Sequence, residues 1–254
     1  MKSEYAAQYR DLYENHWWWR ARESYILGIL RRERAQKKHG AVLDIGCGDG
    51  LFFDHLAEFG EVEGVEADAA IVSDDGPHRD RIHVCQFDET FQPGKKYSLI
   101  VMLDLLEHLP DPLGGLKHAL ELLEEDGTIV ITVPAFRALW TTHDDWNHHF
   151  TRYTKRTFLS SARDAEMQID SMRYFFHWTC PIKLAIRVKE ALFGSSPKPA
   201  QVPPAVVNFA MFALSRIEQA TISKLPMPFG SSLVAVGRKQ SSLSEIHSIK
   251  QEES

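Results

Sequence analysis

Residues 42–50, Val-Leu-Asp-Ile-Gly-Cys-Gly-Asp-Gly, restrict the fold more than any other stretch of the chain. A short apolar run closes directly onto three glycines spaced G-x-G-x-G, and helical periodicity resumes after them. An apolar run this short and continuous reads as a parallel strand buried on both faces. Gly46 and Gly48 open backbone conformations closed to other residues and let a ligand approach the main chain. In an open α/β sheet such a turn lies at the carboxyl edge, where ligands bind. The spacing also discriminates. A dinucleotide fingerprint G-x-G-x-x-G needs Gly or Ala at position 51, and the residue is Leu51.

Six further runs alternate with helical stretches. Strands are expected at Glu61–Glu66, Arg81–Cys85, Tyr97–Leu103, Gly127–Val133, about Ile169–Trp178 and Ser232–Gly237. Helices are expected over the first forty residues, at Leu51–Phe59, at Asp111–Glu124 with Asp111 as N-cap and Pro112 in first position, and at Thr157–Ala165. Strand alternating with helix predicts a doubly wound, mostly parallel α/β sheet. The last two strands are separated by about fifty residues of different character. Pro181–Phe193 is amphipathic, with Lys183, Arg187 and Glu190 on its polar face. A Pro/Ser-rich linker and an apolar helix at Ala205–Ser223 follow.

Composition narrows the class. The 254 residues carry a net charge of −6, which argues against a nucleic-acid partner held by a globally basic surface. Residues 171–238 depart from this, with eight Lys/Arg against two acids. Three scattered cysteines, Cys47, Cys85 and Cys180, make neither a disulfide framework nor a four-thiolate metal site. The N-terminus lacks an apolar signal region and no run of 18 apolar residues occurs, so a cytoplasmic protein is expected.

VLDIGCGDG resembles motif I of the class I S-adenosylmethionine-dependent methyltransferases, and the resemblance runs over roughly residues 16–238. It implies a seven-stranded sheet with a helical insertion between the last two strands, S-adenosylmethionine as cofactor, and a division of the chain. That division is a helical cap at 1–40, a cofactor-binding core at 41–180, the insertion at 181–224, the last strand at 225–239 and a disordered tail at 240–254. Asp44, Gly46, Cys47, Gly48 and Asp104 fall in the implied cofactor pocket. Glu66 falls where the family places the acid that binds the ribose hydroxyls, and Asp88 where an acid often meets the adenine amino group. A carboxylate suits a vicinal diol because each oxygen accepts one hydroxyl hydrogen.

Two further clusters carry chemistry. Asp104-Leu105-Leu106-Glu107-His108 resembles the acid-x-x-Glu-His run of ubiquinone-biosynthesis O-methyltransferases, where these groups can hold a divalent metal; elsewhere in class I the same dipeptide shapes the adenosine pocket, and the latter reading is adopted. Residues 143–153 (HDDWNHHFTRY) pack three histidines and two aspartates into a loop at the acceptor side and resemble the bacterial type 11/12 methyltransferases. His149 is the first candidate for a general base and His143 the second. Trp17, Trp18 and Trp19, followed by Arg20 and Arg22, also resemble that subgroup and suggest a helix closing over the cofactor.

The expected activity is methyl transfer to an oxygen or nitrogen of a small-molecule or lipid-like acceptor. The basic, apolar insertion 181–224 is expected to roof the acceptor pocket, with peripheral contact to the inner membrane as one reading and plain packing or a dimer interface as the others. A metal-assisted quinone-type O-methyltransferase and a catalytically silent cofactor-binding protein are the alternatives.

Overall fold

The computed structural model describes residues 2–34, 40–194, 196, 200–222 and 225–240. The expected tail lies, beyond residue 240, outside the described residues. Seven strands form one sheet: β1 (Gly40–Ile45), β2 (Gly60–Glu66), β3 (Ile82–Val84), β4 (Tyr97–Leu103), β5 (Leu123–Pro134), β6 (Met167–Phe175) and β7 (Ser232–Lys239). Their order is β3-β2-β1-β4-β5-β7-β6. The first five strands pair in parallel, and β7 runs antiparallel to both β5 and β6. This is the doubly wound, mostly parallel sheet expected from the strand–helix alternation.

The helices are α1 (Lys2–Asn15), α2 (Trp17–Arg34), α3 (Phe53–Leu56), α4 (Pro112–Leu122), α5 (Thr142–Trp146), α6 (Lys155–Asp164), α7 (Thr179–Phe193) and α8 (Ala205–Ala220). Side chains alternate across a strand, so each buried strand feeds two cores. Leu43, Ile45, Ile100, Met102, Ile129 and Ile131 pack with Leu116 and Phe158 on one face. Val42, Leu99, Val101 and Val130 pack on the other face with Ile26 and Leu30 of α2 and Phe53 and Leu56 of α3.

Local rules account for several boundaries. Asp111 caps α4 by accepting from Gly114 N at 2.9 Å, a bond worth about 1 kcal/mol. The helix expected at 51–59 is a single turn, because the chain spends residues 46–53 on tight turns (Gly50 N to Cys47 O, Phe53 N to Gly50 O) before β2 starts at Gly60. The expected N-terminal helix is two, separated at His16. The helix expected to reach Glu124 stops at Leu122, where β5 begins, and β5 is longer than its apolar run.

Four strands leave the sheet through a residue in the left-handed region: Gly46 after β1 (φ 78°), Asp104 after β4 (φ 53°), Phe136 beyond β5 (φ 57°) and Phe176 after β6 (φ 56°). For the three that are not glycine this conformation is costly, and strain of this kind concentrates where function constrains the backbone. The turns hold four connections over one edge of the sheet.

α7 and α8 fill the long connection between β6 and β7. α8 lies against α2, with Asn208 Oδ1 accepting from Trp17 N at 2.8 Å and Gln219 Nε2 donating to Ala21 O at 2.8 Å. Trp17 is buried against Phe176 and Trp178, so the first tryptophan of the triplet serves packing. Both insertion helices leave large apolar side chains exposed, including Leu192, Phe193, Val206 and Phe209, each at least 69% accessible. Among the described residues no helix is long and apolar enough to cross a membrane.

Candidate active site at the carboxyl edge of the sheet

The glycine turn is stitched to the adjacent strand. Gly46 N and Cys47 N both donate to Val65 O, at 2.8 and 3.2 Å, and Gly48 N donates to Glu66 Oε2 at 2.9 Å. Glu66 Oε1 accepts from Asp68 N at 2.8 Å. Each carboxylate oxygen retains a further lone pair, so Glu66 can still accept two hydroxyl hydrogens. Gly48 has φ 57°, and a Cβ built there would stand 3.0 Å from the Tyr9 ring. α1 therefore lays Tyr9 directly on the turn. Asp49, buried at the end of the motif, holds α1 in place by pairing with Arg10 while accepting from Ser73 N at 2.8 Å.

Asp44 is buried behind the turn. Burial pushes its carboxyl up to about 7, against the lowering effect of Arg22 and with a further rise from Glu66. Arg22 reaches from α2 to pair with Asp104, and its buried Nε has no hydrogen-bond partner among the described residues. Asp104 N in turn donates to Thr132 O and Oγ1, both at 3.0 Å, which pins its left-handed backbone. Cys47 is buried, and its thiol is pushed up by that burial. Asp88 is placed differently: its exposed carboxylate accepts from Thr90 N and Oγ1 at 2.9 and 2.6 Å, bonds that hold it below the ordinary range.

Beyond β5 the loop folds around Asp144. This fully buried carboxylate takes a forked pair from Arg152 (Nε at 2.7 Å, Nη2 at 3.0 Å), Thr141 N at 2.9 Å and His149 Nδ1 at 2.9 Å. These donors hold it far below the ordinary carboxylate range although burial opposes them. With Nδ1 committed to Asp144, the remaining ring nitrogen of His149, Nε2, is the one left to act. Its ring stands edge-on to His108 with centroids 4.6 Å apart. His108 is pushed down to about 4, by burial first and then by His149. Glu107 is fully buried, and neither carboxylate oxygen has a hydrogen-bond partner among the described residues. Burial and then Asp104 raise its proton affinity well above the usual value. Ligand atoms of Glu107, His108 and His149 lie within 4.8 Å of one another. His143, the second base candidate, is engaged by Asn147 Nδ2 at 3.0 Å, and its imidazole is lowered by burial and by Lys183.

The edge thus gathers Asp44, Gly46, Cys47, Gly48, Glu66 and Asp104 on one side and Glu107, His108, His143 and His149 on the other. Residues 17–171 match the model of a methyltransferase domain family. The chain belongs to that family. It is a class I S-adenosylmethionine-dependent methyltransferase, and its cofactor is S-adenosylmethionine.

Among curated relatives, the ubiquinone biosynthesis O-methyltransferase of Xanthomonas campestris pv. campestris is 25% identical over 182 residues, covering 62% of this chain and 76% of the relative. That of Glaesserella parasuis is 30% identical over 103 residues, covering 36% of this chain and only 44% of the relative. In fold, the methyltransferase resembles a SAM-dependent methyltransferase of Archaeoglobus fulgidus (TM-score 0.55, 17% identity, 85% of this chain and 94% of that one). It also resembles phosphoethanolamine N-methyltransferase 2 of Haemonchus contortus, solved in complex with S-adenosylmethionine (TM-score 0.55, 17% identity, 85% and 52%).

The groups at the glycine turn fit that cofactor. A guanidinium with an unused N–H suits its carboxylate, a buried acid suits its cationic methionine end, and Glu66 suits the ribose diol. Arg22 and Tyr9 were not singled out as site residues by sequence. Arg22 stands in the Trp-Trp-Trp-Arg-Ala-Arg run, which suggested a helix closing over the cofactor without a role for Arg22 itself, whereas Tyr9 gave no signal.

Proposed function

We propose that this methyltransferase methylates a hydroxyl oxygen of an aromatic or lipid-like acceptor, with His149 as general base. The observation that carries the reading is the bond from His149 Nδ1 to buried Asp144. It fixes the tautomer whose Nε2 accepts a proton, and the Arg152 fork keeps Asp144 ionised to orient it. When bound, S-adenosylmethionine supplies an electrophilic methyl group on a sulfonium sulfur. Asp44, Gly46, Cys47, Gly48, Glu66 and Asp104 hold it, Arg22 takes its carboxylate, and Asp88 borders the adenine end. His149 Nε2 would take the proton of the acceptor hydroxyl as that oxygen receives the methyl group the bound cofactor would supply. Alignment and exclusion of water by the cap supply most of the rate. His143 borders the same pocket and is the weaker candidate, because its Nε2 is already engaged.

The cap, core and insertion divide as 1–40, 41–180 and 181–224. The insertion is the face through which a lipid-like acceptor arrives, and its exposed apolar side chains, interleaved with Lys189 and Arg216, support peripheral contact with a membrane. The O-methyltransferase relatives support oxygen over nitrogen.

A metal-assisted version of the reaction has an observation of its own in the unpartnered Glu107 carboxylate beside His108 and His149. Those three would hold a divalent cation that polarises the acceptor oxygen, and Asp144 would then orient a ligand instead of a base.

The test is transfer of labelled methyl to catechol by wild type and by His149→Asn, with and without chelator. Loss of at least a hundredfold in His149→Asn with no effect of chelation supports the base. Loss on chelation restored by Mg²⁺ replaces it with the metal-assisted reading, and equal activity in the variant overturns both.

A further inference from the structure

Helix α7 is fastened to the acceptor loop by its polar face. Glu190 accepts from Thr142 N at 3.0 Å and from Thr142 Oγ1 at 2.8 Å, and Arg187 Nη1 donates to Trp140 O at 2.6 Å. Residues spaced i, i+4 and i+7 share one side of a helix. Lys183 therefore lies on the same side as Arg187 and Glu190, one turn nearer the start of α7. There it lies within electrostatic range of His143, Arg152, Asp144 and Asp104.

The charges around Lys183 do not cancel. Asp104 is paired with Arg22, and Asp144 with both Arg152 and His149. Lys183 is half-buried and has neither a hydrogen bond nor an ion pair among the described residues. Burial, then the Arg152 guanidinium, pull its ammonium down to about 8, so it is charged at neutral pH yet poorly compensated. A desolvated cation without a counter-charge is costly unless a ligand brings one. A divalent cation at Glu107, His108 and His149 would enlarge the positive excess, so the conclusion holds under either reading of the mechanism.

We propose that Lys183 is the anion-recognising residue of the acceptor site, and that the acceptor carries an oxyanion, a carboxylate or a phosphate, beside the hydroxyl that is methylated. The inference rests on the methyltransferase reading and names its substrate class. The ammonium supplies a point charge with three rotatable donors, which suits either oxyanion.

The experiment is calorimetric titration of the full chain loaded with S-adenosylhomocysteine. The probes are 3,4-dihydroxybenzoate, 2-hydroxyphenyl phosphate and the uncharged methyl 3,4-dihydroxybenzoate, against wild type, Lys183→Gln and Lys183→Arg. The expected result is at least tenfold tighter binding of one or both charged probes than of the ester, lost in Lys183→Gln and largely kept in Lys183→Arg. Competition with phosphatidylglycerol but not phosphatidylcholine vesicles assigns the anion to a lipid headgroup; no competition assigns it to a soluble acceptor. Equal binding of charged and uncharged probes, a preference that survives in Lys183→Gln, or no binding of any probe overturns the proposal. Unchanged S-adenosylhomocysteine affinity in the variants shows that the fold is intact. Its failure to bind wild type is a separate result, which removes the methyltransferase reading itself.

Discussion

Around Gly46–Glu66 the proposed cofactor site is built from main chain, with acids carried on neighbouring parallel strands, whereas around Asp144–His149 the proposed acceptor site is built from side chains of the turn after β4 and the loop beyond β5. The first region owes its shape to backbone: left-handed glycines and bonds to Val65 O fix it. The second owes its shape to one buried carboxylate on which Arg152, His149 and Thr141 converge. A backbone-built site is constrained at few positions and serves any acceptor, because it sees only the cofactor. A site built from side chains around a single buried charge is brittle to loss of that charge, yet its rim can be retuned without touching the sheet. The contrast matches the division of labour in which the cofactor carries the hard chemistry and the protein chooses what it meets.

The sharpest way to break the contrast is to remove the hub. Asp144→Ala leaves the buried Arg152 guanidinium without its partner, a change that costs about 3–5 kcal/mol. Urea unfolding should show that loss, with the midpoint moved and the slope kept. A loss under 1 kcal/mol would mean that the loop does not depend on Asp144.

A smaller effect is expected at the other region, where Asp44 titrates at about 7 in the free protein. A carboxyl raised on folding favours the protonated folded form, so its contribution to stability is fully present below about 4 and is lost as the pH rises through 7. A cationic ligand end needs the ionised form. Affinity for S-adenosylmethionine should therefore rise by about tenfold from pH 6 to pH 8, with proton release detectable by calorimetry in buffers of different ionisation enthalpy. Asp44→Asn should flatten the profile. A wild-type affinity independent of pH would place Asp44 outside the cofactor's reach.

Asp88 marks the low end. Its carboxylate is exposed and, among the described residues, bonded only to Thr90, so Asp88→Ala should change stability by no more than about 0.5 kcal/mol. Cofactor affinity in that variant sharpens the comparison. A loss below threefold makes the adenine end, like the glycine turn, a matter of backbone, whereas a larger loss adds a side chain to it.

The two regions also differed in how much of them could be read from sequence. Strand runs such as Tyr97–Leu103 and the capped start of α4 depend on neighbours in the chain, and both fall where local pattern puts them. Gly46 and Glu66 sit at strand ends that the alternation of strand and helix already located. His149 and His143 were visible as a dense cluster, but not that one would be tied to Asp144 and the other to Asn147. Lys183 was visible only as one member of a polar helix face. Its surroundings depend on α7 docking 47 and 48 residues back along the chain, at Trp140 and Thr142, and no local period encodes that. α3 was read as too long for a related reason, since turn geometry at the glycines consumed residues that hydrophobic spacing assigned to a helix.

Titration of S-adenosylhomocysteine into wild type and Glu66→Ala tests the central claim most directly. Micromolar binding to wild type, weakened at least tenfold in the variant (about 1.4 kcal/mol), is the predicted result. Absence of binding to wild type, or equal binding to both, would contradict the account of the glycine turn and Glu66 as the cofactor's seat.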